Sequence, residues 1–169
     1  MARILRRITT VTASLAVAAG VALVAAPAAP AAAAGDWRIH NNNDGLCLGI
    51  DQNSTAWGTR AVQWECNGNA DQQWTFHSAG GASYTLTNDH GLCLGVDGAS
   101  ESWGARAVQW GCNGNPDQKW LYSRINGGSF RLLNLNSGLC LGIENGSTAW
   151  NATAVQWECN GNADQNWHF

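Results

Sequence analysis

Residues 45–74 read GLCLGIDQNSTAWGTRAVQWECNGNADQQW. Residues 91–120 read GLCLGVDGASESWGARAVQWGCNGNPDQKW, and residues 138–167 read GLCLGIENGSTAWNATAVQWECNGNADQNW. The three align without a gap. Cys47 and Cys66, Cys93 and Cys112, and Cys140 and Cys159 are equally spaced, and each block closes on Asp-Gln-x-Trp. A block that recurs three times at a near-constant period is a repeat architecture, and each copy is one structural unit.

Outward from the blocks, the N-terminal segment reads differently. Arg3, Arg6 and Arg7 precede an apolar, alanine-rich run from about Val11 to Ala26, and Ala32–Ala34 offer small residues before Gly35. This pattern is that of a secretory signal peptide over residues 1–34. A membrane anchor is the rival reading. It is the weaker one, because the run is short of the roughly 20 residues a span needs and is broken by Pro27 and Pro30. Residues 35–169 are then expected to form a single secreted, extracellular domain, with repeats of about 35–79, 80–126 and 127–169.

Removing the three leader arginines from the 9 Lys+Arg leaves 6 against 12 Asp+Glu, a net charge of −6. An acidic chain without a basic stripe excludes a nucleic-acid footprint, and no further stretch is apolar enough for membrane insertion. The 6 cysteines all lie in the blocks. An export signal makes disulfides the natural use for them. Of 15 pairings, a threefold repeat favours the set that uses the same bridge three times: Cys47–Cys66, Cys93–Cys112 and Cys140–Cys159. A metal site would need Cys or His at short spacing, and His40, His77, His90 and His168 do not recur with the repeat. No metal and no cofactor are expected.

Short apolar pieces recur in each copy, such as Trp37–His40, Leu46–Ile50, Ala61–Cys66 and Trp74–His77 in the first, separated by Asn, Gly, Asp and Ser. Strands bounded by turn residues at this spacing indicate an all-β fold. Four per copy gives about twelve. Three copies are too few for a propeller, whose blades number four or more, and a barrel with pseudo-threefold symmetry fits better.

Two cysteines spaced as here and followed by Q-x-W, three times over, resemble the ricin B-type lectin family. The resemblance covers residues 35–169 and implies a β-trefoil, with cysteines paired within each repeat. It also implies a carbohydrate partner, whether a galactose-type sugar, xylan or another polysaccharide, at up to three shallow sites. The family's stacking tryptophan corresponds to Trp64, Trp110 and Trp157. Its Asn-Gln before the last tryptophan becomes Asp71-Gln72, Asp117-Gln118 and Asp164-Gln165. Its principal sugar-binding aspartate, two residues after the first cysteine, is replaced by Gly49, Gly95 and Gly142. That departure puts the usual galactose pocket in question.

A sugar presents an apolar C–H face and a rim of hydroxyls, so a site for it combines an aromatic surface with a few polar groups. Trp64 with Asp71, Trp110 with Asp117 and Trp157 with Asp164 are the expected pairs, and the first copy, with every polar option retained, is the first choice. Each of these residues also has a structural reading: the tryptophans as buried packing, the aspartates as caps of the preceding Asn-Gly turn, and Gln72, Gln118 and Gln165 as bonds to backbone. Trp74, Trp120 and Trp167 are expected in the core. Trp57, Trp103 and Trp150 sit in turn-like stretches, where they either contact a ligand or fold over the adjacent hairpin. Asp51, Asp97 and Glu144 are further candidate contacts or solvated surface. No nucleophile motif is present. A glycosidase needs two carboxylates in distinct roles, whereas the repeated acids here are equivalent by symmetry, so an enzyme is not expected. The functional expectation is a monomeric lectin or carbohydrate-binding module. The alternative is a trefoil that has lost sugar binding and contacts a protein, for instance as a hydrolase inhibitor, and the three glycines are its best support.

Overall fold

The computed structural model describes residues 38–169. The expected leader, and Trp37 of the first expected strand, lie outside the described residues. Twelve strands follow, four to a repeat. The first repeat holds β1 (His40–Asn41), β2 (Cys47–Ile50), β3 (Ala61–Trp64) and β4 (Trp74–Gly80). The second holds β5 (Ser83–Asn88), β6 (Cys93–Val96), β7 (Ala107–Trp110) and β8 (Trp120–Arg124), and the third β9 (Phe130–Asn134), β10 (Cys140–Ile143), β11 (Ala154–Trp157) and β12 (Trp167–His168).

Two layers result. Strands β4, β5, β8, β9, β12 and β1 form a continuous antiparallel ladder in that order. The remaining strands form three hairpins, β2–β3, β6–β7 and β10–β11, in identical register: Cys47 faces Trp64, Cys93 faces Trp110 and Cys140 faces Trp157. Single bridges Arg60–Val108, Arg106–Val155 and Val62–Thr153 join the outer hairpin strands into a triangle. This is a β-trefoil, the fold that the resemblance implies, and it realises the pseudo-threefold barrel expected from the repeat.

The Cys-Leu-Gly-(Ile/Val) strands are buried at every position, which is why they read as unbroken apolar runs rather than as alternation. Leu48, Leu94 and Leu141 enter the central cluster with Ile50, Val96 and Ile143. Trp74, Trp120 and Trp167 are fully buried in the same cluster. Each indole donates its N–H to a carbonyl of the first hairpin strand, at Leu48 (2.9 Å), Leu94 (3.0 Å) and Leu141 (3.1 Å). A buried tryptophan contributes about 5 kcal/mol of apolar burial, and here its one polar atom is satisfied too. The closing tryptophan of the block thus ties the ladder to the hairpin layer.

The disulfides are Cys47–Cys66, Cys93–Cys112 and Cys140–Cys159, with Cα–Cα distances of 5.1 Å in each. Each staples the start of a hairpin to the residue just past its end. The one-residue difference between copies also has a place. Trp74 pairs with Asn88 and Trp120 with Asn134, so the ladder hairpins match and the extra residue falls in the loop between Asn134 and Cys140.

Candidate functional site

The polar pieces of each block converge on a cavity beside its hairpin. The three cavities measure about 350, 310 and 300 Å³ in the first, second and third repeats. The first is lined by Trp64, Asp71, Gln72 and Asp51; the second by Trp110, Asp117, Gln118 and Asp97; the third by Trp157, Asp164, Gln165 and Glu144. The indole stands at the end of the second hairpin strand, where the side chain faces outward: Trp64 is 36%, Trp110 42% and Trp157 42% exposed. The packed alternative for these three does not hold.

The aspartate comes from a single 3₁₀ turn, Ala70–Gln72, Pro116–Gln118 or Ala163–Gln165. It does not cap the Asn-Gly turn before it. That turn closes on its own asparagine, whose Oδ1 accepts the amide N–H two residues on: Asn67 from Asn69, Asn113 from Asn115 and Asn160 from Asn162. The Asp71 carboxylate instead reaches across the hairpin, where its Oδ2 accepts the Ile50 N–H at 2.8 Å. Val96 and Ile143 provide the same amide to Asp117 and Asp164. Burial pushes all three carboxyls above the ordinary value of 3.8, and these backbone N–H groups pull part of the way back. Each carboxylate is held by backbone N–H groups, and each aspartate lines its cavity.

This placement explains the glycines. A Cβ on Gly49 would lie 2.6 Å from Asp71 Oδ2 and 2.9 Å from Gln72 Cγ. On Gly95 it would meet Gln118 Cγ at 2.9 Å and Asp117 Oδ2 at 3.1 Å; on Gly142, Gln165 Cγ at 2.8 Å and Asp164 Oδ2 at 3.0 Å. The carboxylate entering from the 3₁₀ turn occupies the space of a side chain on the hairpin strand. An acid two residues after the cysteine and an acid in the turn compete for one volume, and this chain uses the turn.

The glutamines beside these aspartates are spent on backbone. Gln72 donates to the Glu65 carbonyl at 2.9 Å and accepts the Asn67 N–H at 2.9 Å; Gln118 and Gln165 do the same with Gly111 and Asn113, and with Glu158 and Asn160. They shape the cavity floor by holding the turn after the second cysteine. Asp51 and Asp97 pair with Arg60 (3.1 Å) and Arg106 (3.0 Å). The third repeat has Thr153 in place of the arginine, and its hydroxyl accepts from Arg60 at 2.8 Å. Glu144 is exposed and carries no ion pair among the described residues. His40 Nδ1 lies 3.4 Å from Cys66 Sγ, but that sulfur is bonded to Cys47, so the cluster is a histidine against a disulfide.

Trp57, Trp103 and Trp150 are 62%, 57% and 55% exposed, and none lies on its own repeat. Trp57 packs on Trp110 with ring centroids 5.5 Å apart, Trp103 on Trp157 at 5.6 Å, and Trp150 on Trp64 at 5.4 Å. Each cavity is therefore flanked by a loop from another repeat. Asn151, next to Trp150, lines the first cavity, and Gly104, next to Trp103, lines the third.

Sequence reasoning passed over the residues that hold these loops, Gln63, Gln109 and Gln156, which are fully buried. Gln109 donates to the carbonyls of Ser54 (2.6 Å) and Ala56 (2.9 Å); Gln156 to Ser100 and Ser102; Gln63 to Ser147 and Ala149. The available signal was a polar residue repeated inside the otherwise apolar Ala-Val-Gln-Trp strand. The three are not equally satisfied. Oε1 of Gln156 accepts from Ser137 Oγ and that of Gln109 from Asn88 Nδ2. Gln63 instead meets the Asp44 carboxylate, which takes its Nε2 and has no proton to give, and its Oε1 is left buried without a partner.

A family model described as the ricin-type beta-trefoil lectin domain matches residues 36–167. The chain is similar to the designed 3-fold symmetric protein ThreeFoil, at 30% identity and a TM-score of 0.76 over 78% of this chain and 94% of that one. It is also similar to 1,3Gal43A, an exo-beta-1,3-galactanase from Clostridium thermocellum, at 27% identity and 0.75 over 78% of this chain and 29% of that one. The Polyporus squamosus lectin, solved with Neu5Aca2-6Galb1-4GlcNAc, shares the fold at 22% identity and 0.67, over 78% and 47% of the two chains. Among curated proteins, none matches the chain.

Proposed function

Because the chain belongs to the ricin-type β-trefoil lectin domain family, whose members bind carbohydrate, we propose that it is a secreted, monomeric lectin with three shallow sugar sites, one per repeat. The observation that carries this reading is the threefold recurrence of an exposed indole beside an aspartate on one cavity, the aspartate being buried in the first two repeats and half-buried in the third. The pyranose C–H face stacks on Trp64, Trp110 or Trp157. The carboxylate of Asp71, Asp117 or Asp164 accepts from sugar hydroxyls, as a charge-assisted bond of the stronger kind. A carboxylate in place of the family's asparagine offers acceptors only, which suits hydroxyl-rich ligands such as a galactose-type sugar or xylan.

The protein acts by holding its ligand and not by turning it over. The cavity carboxylates are symmetry equivalents held alike by backbone, and no pair of them offers an acid and a base. A single shallow site reaches about −4 kcal/mol, the millimolar range. Three on one molecule gain by avidity on a repeating polymer. The protein-contact alternative rested on Gly49, Gly95 and Gly142. Their glycines answer to the aspartate that fills the same space, so they do not argue for a lost site.

The test is retention on insoluble polysaccharides and a glycan panel by the intact protein and by the Trp64→Ala, Trp110→Ala, Trp157→Ala triple variant. Retention by the former alone is expected. Equal retention by both would remove the indoles from the site, and retention by neither, with capture of a hydrolase instead, would favour the alternative.

A further inference from the structure

We infer that each site spans two repeats and takes two consecutive sugar units of a polysaccharide chain, the second unit resting on the indole that a neighbouring repeat contributes. Trp150 extends the Trp64 site, Trp57 the Trp110 site and Trp103 the Trp157 site. The inference deepens the sugar-binding reading above and rests on it.

Three features carry it. First, these are the most exposed aromatic side chains among the described residues, at 55–62%, and the core has no use for them. Large aromatic surface left in water marks a contact site. Secondly, the exposed indoles are held in place. The buried glutamines draw in both carbonyls before each loop tip, and the backbone closes the other side. Gly58 N–H donates to Gln109 O at 2.8 Å and Gln109 N–H to Thr59 O at 2.9 Å. Gly104 and Gln156, and Asn151 and Gln63, repeat the arrangement. Within the loop, Ser54, Ser100 and Ser147 hydroxyls accept the N–H two residues on. A loop ordered this thoroughly presents its tip at little further entropic cost, which is how a preformed contact gains affinity.

The third feature is continuity. Within each pair the rings are tilted by 43–47° rather than stacked. The two rings meet at an angle, and together they make a bent platform that starts at the carboxylate cavity and runs out along the neighbouring loop. Centroid separations of 5.4–5.6 Å are comparable with the advance per unit along a β-linked sugar chain. A terminal monosaccharide would fill the cavity and leave the outer indole idle; a chain segment uses both. The backbone beside the Trp57–Trp110 pair is kept slim: the Trp110 ring lies 3.0 Å from where a Cβ on Gly58 would stand, and the Trp57 ring 2.8 Å from one on Gly111. A Cβ on Gly104 would likewise stand 3.3 Å from the Trp157 ring, whereas Asn151 takes that place beside Trp64.

The experiment is calorimetric titration of the intact protein with xylose and galactose and with their β-linked di- to tetrasaccharides. The wild type is expected to bind the disaccharide of the series it accepts roughly three- to tenfold more tightly than the monosaccharide, with little gain beyond. The Trp57→Ala, Trp103→Ala, Trp150→Ala variant should keep the monosaccharide affinity and lose that increment, and the Tyr versions should restore most of it. If the Ala variant keeps the increment, or weakens mono- and disaccharide by the same factor, the outer indoles are structural and the inference is overturned while sugar binding stands. If the wild type binds no member of either series, the sugar-binding reading falls and this one with it.

Discussion

Replacing Gly49 by Ala adds one carbon, and its consequence follows from two distances. The new Cβ would stand 2.6 Å from Asp71 Oδ2 and 2.9 Å from Gln72 Cγ, both closer than real contacts. Gln72 cannot give way cheaply, because its amide is bonded at both ends to backbone. The Asp71 carboxylate must move, and its 2.8 Å bond from the Ile50 N–H then breaks or lengthens. Overpacking costs about 1–3 kcal/mol, and a buried N–H left without its charged acceptor about 1–3 kcal/mol. Since movement relieves part of the first, a net loss of about 2–4 kcal/mol is expected. Asp71→Ala alone forfeits the bond and removes the nearer of the two clashes but leaves the one with Gln72 Cγ, so the double variant should fall short of additive losses by about 1–2 kcal/mol, the coupling between the sites. Urea unfolding with the disulfides intact measures all three. The account would be refuted by a Gly49→Ala variant within about 0.5 kcal/mol of wild type, or by strictly additive losses in the double variant.

The remaining expectations concern stability, acidity and the staples. Asp44→Ser should raise stability by about 1 kcal/mol in thermal or urea unfolding, because a hydroxyl can donate to Gln63 Oε1 as Ser137 does to Gln156; no gain would mean that the orphaned oxygen is not a liability. Gln109→Ala should cost about 2 kcal/mol or more and loosen the Trp57 loop, seen as faster amide exchange at Ala56–Thr59. The carboxyls of Asp71, Asp117 and Asp164 titrate above the ordinary value, so the native state holds their protons more tightly than the unfolded chain. Their stabilising contribution is full below about 3.8 and is lost as pH rises through the raised values, while sugar retention needs the ionised form and fails in the opposite direction. Retention lost on acidification only at the pH of an ordinary exposed carboxylate, or unchanged in pH profile by Asp71→Asn, Asp117→Asn and Asp164→Asn together, would exclude these groups as acceptors. Removing one bridge as Cys93→Ser with Cys112→Ser should cost about 3 kcal/mol, by unfolding midpoint.

The amino-acid sequence alone determined the repeat, the pairing of its cysteines, the all-β class and the burial of Trp74, Trp120 and Trp167. These depend on periodicity and composition, which are local and survive without coordinates. It also brought forward the residues that meet at each cavity, because a symmetric fold carries equal positions to equal places. Two matters needed the tertiary structure. The glycines after the first cysteine read as the loss of an acid, and only the packing of β2 against the Ala70–Gln72 turn reveals that Asp71 enters the same volume from the other side. The partner of each outer tryptophan was equally hidden. Trp57 lies seven positions from Trp64 in the chain, yet its ring rests on Trp110 of the next repeat, because the three hairpins meet around the symmetry axis. Contacts between residues far apart in sequence are set by how the layers close on one another, and a linear pattern carries no record of that closure.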